Sequence, residues 1–500
     1  MKHAVIARGA IVLAALTGCT AGPDYRRPSA PVPAAYKEAA AREGWKIGEP
    51  RDAVDRGAWW SVYRDPILDG LERQIDLSNQ NLKAAEAAFR QSEALVAAAR
   101  AGFFPTEAIS GQSQRSRGAG GGANSNSVGG RISNFYSLNE AASWVPDLWG
   151  KVSRTVEGSV ATAQANAGTL AGARLAAQGQ LASAYMQLRV ADELKVLLDR
   201  SARAFAESER ITRNQYDAGT ASQADVAQAQ AQLKGTEAQA IAVGVARAQF
   251  EHAIAVLIGK PPAEFSIATT TTLVDIPDIP SGMPSELLER RPDIAAAERG
   301  MAASNAQIGV AEAAFYPTIT LSAGSGVSAL ALSKLITASS RIWSFGSNAV
   351  TTIFDGGARN AQLEAARAGF EQDVATYRQT VLSAFQQVED QLAALRILAE
   401  QAKAQAGAVA AAREAERIIT NQYRAGTVAY TNVVVAQTTA LSAAVAAVNI
   451  RQSRLVASVA LIQALGGGWE ASQLPTRERI EADSPLDFSP LPSPPRRPLP

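Results

Sequence analysis

The sequence predicts a mainly α-helical chain with a smaller β part, in which long antiparallel coiled-coil helices alternate with two strand hairpins. Three observations lead there. Two stretches of about 65 residues lack proline, two Gly/Ser/Asn-rich stretches interrupt the helical composition, and one unit of about 200 residues is written twice.

The 500 residues carry 48 Lys plus Arg against 47 Asp plus Glu, a formal net charge of +1. That balance, with no basic runs, gives no footprint for nucleic acid. Hydrophobic residues make up 47%, yet mean hydropathy is only -0.05. Small apolar side chains, chiefly Ala, therefore sit among Gln, Glu and Arg, which suits closely packed long helices better than a multi-span helical membrane protein. One Cys excludes an intramolecular disulfide. Of two His, His3 lies in the leader and His252 is left alone, so a His-based metal cluster is excluded and acid–base catalysis lacks its usual proton carrier. Neither metal, cofactor nor enzymatic activity is expected.

At the N-terminus, Lys2, His3 and Arg8 precede an apolar stretch from Gly9 to Leu16, the layout of a secretory signal and too short to span a bilayer. It ends in Leu16-Thr17-Gly18-Cys19, which resembles the lipobox of bacterial lipoproteins. On that resemblance residues 1–18 are a signal peptide, and Cys19 carries diacylglycerol and N-acyl chains as the head of a lipidated segment, 19–58. Thr20 in place of Asp is compatible with sorting to the outer membrane. Acyl chains hold to lipid with roughly 0.8 kcal/mol per buried methylene.

The duplication pairs RITRNQYDAGTASQADVAQAQ (210–230) with RIITNQYRAGTVAYTNVVVAQ (417–437), matching without a gap at Asn214/Asn421, Gln215/Gln422, Tyr216/Tyr423, Gly219/Gly426 and Thr220/Thr427. Phe103-Phe104-Pro105-Thr106 answers Phe315-Tyr316-Pro317-Thr318 in the same order. Repeat 1 spans 59–265, a Thr/Pro/Ile/Asp-rich linker 266–283, repeat 2 284–468, and a Pro-rich tail 469–500, expected to lack structure from Ser484 onward.

Each repeat reads helix, strand pair, very long helix, tight turn, long helix. The first helix covers 66–102 and stops at Gly102 and Pro105. A hairpin follows within 103–146, its loop at 117–130; the counterpart lies within 315–355, where Ile319, Leu321 and Ala323 alternate with Thr318, Thr320 and Ser322. Such strands can cross a bilayer, which takes about 9–11 residues. Four cannot close a membrane barrel, since the smallest have about eight strands, so several chains would have to share one. The proline-free runs, from Gly150 to Tyr216 and from Gly356 to Tyr423, would reach about 100 Å as helices.

A coiled-coil step runs through Tyr377, Val381, Ala384, Val388, Leu392, Leu395, Ala399 and Ala402. It returns through Leu441, Val448, Leu455 and Ile462, with Val445 and Val459 alongside. Ala425 to Ile450 carries no charge and is long enough to span lipid. Its repeat partner holds Asp225, Lys234 and Glu237, so a coiled-coil helix is expected there instead.

Several strings resemble the outer-membrane efflux protein family, similar to TolC and nearest its lipidated NodT-like branch. They are Cys19-Thr-Ala-Gly-Pro-Asp-Tyr-Arg-Arg-Pro28, Trp59-Trp60 with Asp65-Pro66-Ile67-Leu68, Pro284-Ser-Glu-Leu-Leu-Glu-Arg-Arg-Pro-Asp-Ile-Ala-Ala-Ala-Glu298, Asn305-Ala-Gln-Ile-Gly309, and Leu465-Gly-Gly-Gly-Trp469. The resemblance implies a homotrimer whose four strands per chain form a twelve-stranded transmembrane β-barrel above a periplasmic α-barrel. It implies the exit duct of a tripartite efflux pump in outer-membrane lipid, working with a periplasmic adaptor and an inner-membrane pump of the resistance-nodulation-division type. Cargo would be small molecules such as drugs or metals, exported passively. A duct for type I protein secretion shares this architecture. A lipid-anchored periplasmic coiled-coil scaffold is the alternative of a different class, but it has no need of the strand hairpins.

The candidate site is the pair of turns, with Tyr216, Gly219, Thr220, Ser222 and Asp225 at one and Tyr423, Gly426, Thr427 and Tyr430 at the other. Gly supplies the positive φ a helix end needs, and Thr220 or Ser222 can cap the next helix. The resemblance makes these turns the periplasmic tips that meet the adaptor and constrict the duct. Val435 stands where family members often carry an acid near the second tip, which leaves Asp225 as the candidate for an acidic ring. Elsewhere Arg290, Arg291 and Asp293 are expected to pair at the start of repeat 2. Trp59, Trp60 and Trp469 should anchor a collar, and Trp144, Trp149 and Trp343 should lie near strand ends. Gly118-Ala-Gly120 and Gly324-Ser-Gly326 lack the strand-to-helix junction and following Lys of a phosphate loop.

Overall fold

The computed structural model describes residues 20–38, 57–117, 132–270, 274–277, 279 and 286–489. The signal peptide, Cys19, Gly118–Gly120 and the tail beyond 489 lie outside the described residues.

The duplication is visible element by element. Helices α1 (Pro66–Ser78) and α2 (Gln80–Ala101) lead to strands β1 (Thr106–Arg117) and β2 (Ile132–Trp144), then α3 (Lys151–Asp217) and α4 (Gln223–Leu257). Repeat 2 answers with α5 (Pro292–Ala313), β3 (Thr318–Ala329), β4 (Arg341–Val350), α6 (Ala358–Arg424) and α7 (Tyr430–Ala464). Both long helices have 67 residues, about 100 Å of rise, and both returning helices have 35.

Local chemistry sets most boundaries. Pro66 opens α1 behind Asp65, whose carboxylate accepts from the N–H groups of Ile67 and Leu68. The single helix expected over 66–102 is two, because Asn79 is extended. Its backbone N–H closes α1 on Ile75, and its side chain caps α2 by accepting from Leu82 N–H at 3.0 Å. Both 67-residue helices start just after a positive-φ glycine, Gly150 and Gly357.

The four strands form one antiparallel sheet in the order β1-β2-β3-β4, with β2 and β3 joining the two repeats. Its register puts Ile109, Leu138, Trp144, Leu321, Trp343 and Phe345 on one face together with Glu140, which accepts from Ser325 Oγ at 3.4 Å, and with Glu107, Arg115, Arg117 and Arg341 toward the strand ends. The other face carries Ser110, Gln112, Ser137, Asn139, Thr320 and Asn348, with Phe135 and Ile342 toward the hairpin ends. An apolar face with large exposed side chains backed by a polar face is the pattern of a membrane barrel wall.

The helices pack as two hairpins, α3 with α4 and α6 with α7, joined through α3 and α7 and braced by α2 on α3 and by α5 between α3 and α6. One core gathers Leu181, Tyr185 and Leu188 of α3 with Ile75, Leu455, Val459 and the Trp59–Trp60 pair; another gathers Ile294, Met301, Tyr377, Val381, Val388 and Leu461. The expected coiled-coil seam is thus buried from Tyr377 to Val388 and only half-buried at Leu392 and Leu395. By length and composition α4 and α7 could each cross a membrane. Both are instead the second arm of a helical hairpin, and α7 spends its apolar side chains on α6 and α3.

Other expectations resolve locally. Arg291 donates to Asp293 at 3.0 and 2.6 Å and to the Ala464 carbonyl, whereas Arg290 pairs with Glu286 instead. Trp149 stacks on Tyr316 at 4.9 Å and donates to the Pro317 carbonyl, which ties the start of α3 to the start of β3. Of the tail, residues up to 489 dock on the body: α8 (Arg477–Asp483) buries Ile480 beside Val96 and Val160, and Phe488 meets Phe104 edge-on.

Candidate functional site at the paired helical turns

Both turns use the same backbone device. At the end of α3, Gly219 (φ 79) donates to the Tyr216 carbonyl at 2.8 Å and Thr220 N–H to the Gln215 carbonyl at 2.8 Å. At the end of α6, Gly426 (φ 75) donates to Tyr423 at 2.9 Å and Thr427 N–H to Gln422 at 3.0 Å. This is a Schellman closure in duplicate. The Thr220 and Thr427 hydroxyls also donate to the Gln215 and Gln422 carbonyls, so both threonines are spent on closing their own helix.

The helix starts that follow differ. Ser222 and Asp225 form a capping box: Asp225 N–H donates to Ser222 Oγ at 3.2 Å, and Ser222 N–H donates to the Asp225 carboxylate at 3.0 Å. Asp225, expected as the candidate acid of a ring, is therefore engaged within its own turn. Ala429 and Asn432 replace this pair at the start of α7, which has no side-chain cap. Val435 is 61% exposed, so the second tip presents an apolar side chain there.

The two tyrosines also part ways. Tyr216 is 44% exposed, whereas Tyr423 is 8% and Tyr430 2% exposed. The Tyr423 and Tyr430 rings lie 5.2 Å apart in a cluster with Val433 and Ala229, so α6, α7 and α4 converge there. Tyr423 Oη donates to Thr212 Oγ1 at 3.1 Å, Thr212 donates to the Ser208 carbonyl, and Gln437 Nε2 donates to Ser208 Oγ at 2.9 Å. A buried polar chain thus links α6, α3 and α7 just above the turns. Burial pushes the Tyr430 hydroxyl up to about 12, with Tyr423 beside it adding to the shift, and burial raises Tyr423 as well.

Sequence reading brought Tyr423 and Tyr430 into the site but missed Thr212, Ser208 and Gln437. The available signal was a mismatch between repeats: Thr212 answers Ile419, and Ser208 answers Ala415. Among the described residues no cluster of His, Cys, Asp and Glu is arranged to hold a metal.

A four-stranded membrane-type sheet above paired 100 Å helices that end in tight turns defines an outer-membrane channel with a periplasmic stalk. The chain belongs to the outer membrane efflux protein family, which it matches over residues 71–260 and 283–467. It is 29% identical over 473 residues to the antibiotic efflux pump outer membrane protein ArpC of Pseudomonas putida, covering 94% of this chain and 97% of that one. It is 30% identical over 464 residues to the toluene efflux pump outer membrane protein TtgI of the same species, covering 92% and 97%. Among solved structures, the outer-membrane channel OprN superposes with a TM-score of 0.82 at 30% identity, covering 90% of this chain and all of that one. The protein is accordingly an efflux channel of the outer membrane that extends into the periplasm.

Proposed function

We propose that three copies of the chain assemble into the passive exit duct of a tripartite efflux pump, gated and docked at the twin helical turns. One observation carries this reading: the four-stranded sheet has unpaired outer edges at β1 and β4 and an exposed aromatic face. Open edges are not tolerated within lipid, so β4 of one copy pairs with β1 of the next until twelve strands close. The helical hairpins then line up beneath as a periplasmic cylinder. The adaptor meets the turns around Gly219 and Gly426, and an inner-membrane pump, of the resistance-nodulation-division type by family resemblance, supplies drugs or metals.

The gate in this reading is the junction between hairpins. Within a chain it is fastened by Tyr423 on Thr212. By the repeat, Tyr216 of one copy meets the Ile419 position of the next, where no hydroxyl can accept. Junctions within and between copies then differ in strength, and those between copies part first.

A lipid on Cys19 fits the same frame. Thr20 lies against Gly150, Ala21 N–H donates to the Trp149 carbonyl at 3.0 Å, and Arg154 donates to the Ala21 and Gly22 carbonyls at 3.1 Å. Thr20 is thus tied to the strand-to-helix junction, and an anchor attached just before it would enter the inner leaflet at that level.

The test uses the purified full-length chain in planar bilayers and on gels. Heat-modifiable trimers with ion conductance are expected; monomers that never conduct would leave only a scaffold.

A further inference from the structure

Below the linker, on the face where it crosses the helices, a cleft of about 770 Å³ lies between α3 and α6 over α7. Its charged lining is Arg200 and Glu193 of α3, Arg413 of α6, Arg451 and Arg454 of α7, and Asp275 of the linker. Arg451 is occupied, with Glu193 at 3.7 Å and the Val274 carbonyl at 2.9 Å. Arg200, Arg413 and Arg454 have no ion pair among the described residues, and Arg454 Nε is buried without any hydrogen-bond acceptor. Among the described residues, three guanidinium groups without an ion pair, from three helices, thus share the cleft with one carboxylate, Asp275.

The duplication shows what is missing. Arg454 corresponds to Arg247 of repeat 1, where each guanidinium nitrogen has an acceptor: Asp192 at 2.7 Å, the Ile267 carbonyl at 2.6 Å and Glu251 at 3.3 Å. The positions corresponding to those two acids in repeat 2 are Ala399 and Ser458. The cation persists while its internal acceptors are gone. A buried guanidinium donor left unmatched is costly, and planar guanidinium groups pair best with carboxylate and phosphate oxygens.

We propose that this cleft is an oxyanion-binding site for a ligand bearing two or more phosphate or carboxylate groups. The anion takes the place of the lost acids at Arg454 while reaching Arg200 and Arg413. It thereby ties α3 to α6 across α7 and holds the two helical hairpins of one chain together on the linker side, well away from the turns.

The experiment is titration calorimetry of the detergent-purified full-length protein with inorganic tripolyphosphate and, separately, with hexaglutamate. R413Q and R454Q should each weaken binding by about tenfold, as expected for one charge-assisted contact. R210Q, which alters an exposed arginine paired with Glu207 outside the cleft, should leave it unchanged. Arg413 is exposed, so R413Q tests the site even where R454Q disturbs folding. Binding of one probe only identifies phosphate or carboxylate as the recognised group. Failure of both probes to bind the unaltered protein, or equal weakening by R210Q, would overturn the proposal.

Discussion

The hydroxyl of Tyr423, at the end of one 67-residue helix, donates to Thr212 Oγ1 of the other at 3.1 Å. Within one chain that contact makes two copies of one sequence motif unequal, because the corresponding Tyr216 has no such partner helix there and is exposed. If the hairpin junctions are the gate, this hydrogen bond is among the groups that keep it shut.

Y423F should remove about 1 kcal/mol from the junction and raise channel conductance, and Y423A, which also opens the Tyr430 cluster, should raise it further. D225A should destabilise the start of α4 by about 1 kcal/mol through loss of its capping box, with the smaller effect on conductance. Single-channel recording checks the order. Equal conductance in the parent, Y423F and Y423A proteins would remove the junction from the gate.

Glu72 of α1 is fully buried, and among the described residues neither carboxylate oxygen has a partner. Desolvation, with Asp76 nearby, pushes its carboxyl up to about 9. The folded state therefore holds a proton that the unfolded state releases near its ordinary value of 4.5. Stability should fall as pH rises from about 4.5 to about 9, and E72Q should flatten that slope and stabilise the protein at pH 8. Thermal melts of both proteins across this range decide it; parallel profiles would show that Glu72 is ionised at no cost.

The two faces of the sheet should answer differently to charge. F345K, on the apolar face, should destabilise the inserted barrel by about 2–4 kcal/mol if that face meets mid-bilayer lipid, whereas T320K on the polar face should be tolerated and alter ion selectivity. Urea unfolding in liposomes gives the first quantity and reversal potentials the second. Equal destabilisation by both would mean that the faces have been assigned wrongly.

Mass spectrometry of the mature N-terminus should find a peptide beginning at Cys19 with diacylglycerol and N-acyl groups, and C19S should lack them. G22A tests the strap itself. Gly22 has φ 86, and a Cβ there would collide with the backbone of Gly309, so the strap should lift and become sensitive to protease. An unmodified Cys19 in the mature chain would exclude the anchor.

Much of this molecule is legible in the residues alone, for reasons of spacing. The repeat, the proline-free helices, the alternation at Ile319, Leu321 and Ala323, and the glycines that close both turns are patterns within a few residues of chain. Local backbone preference suffices to read them. The break at Asn79 was harder, because a polar residue in a helical composition can be a surface position or a cap, and only its hydrogen bond to Leu82 distinguishes them. Tertiary structure alone decided which tyrosine is buried within the chain, and that Arg454 has no acceptor among the described residues where Arg247 has three. The physical reason is the same in each case. Burial and pairing depend on which neighbouring helix passes at a given height, and two helices of identical sequence pattern meet different neighbours once they are packed.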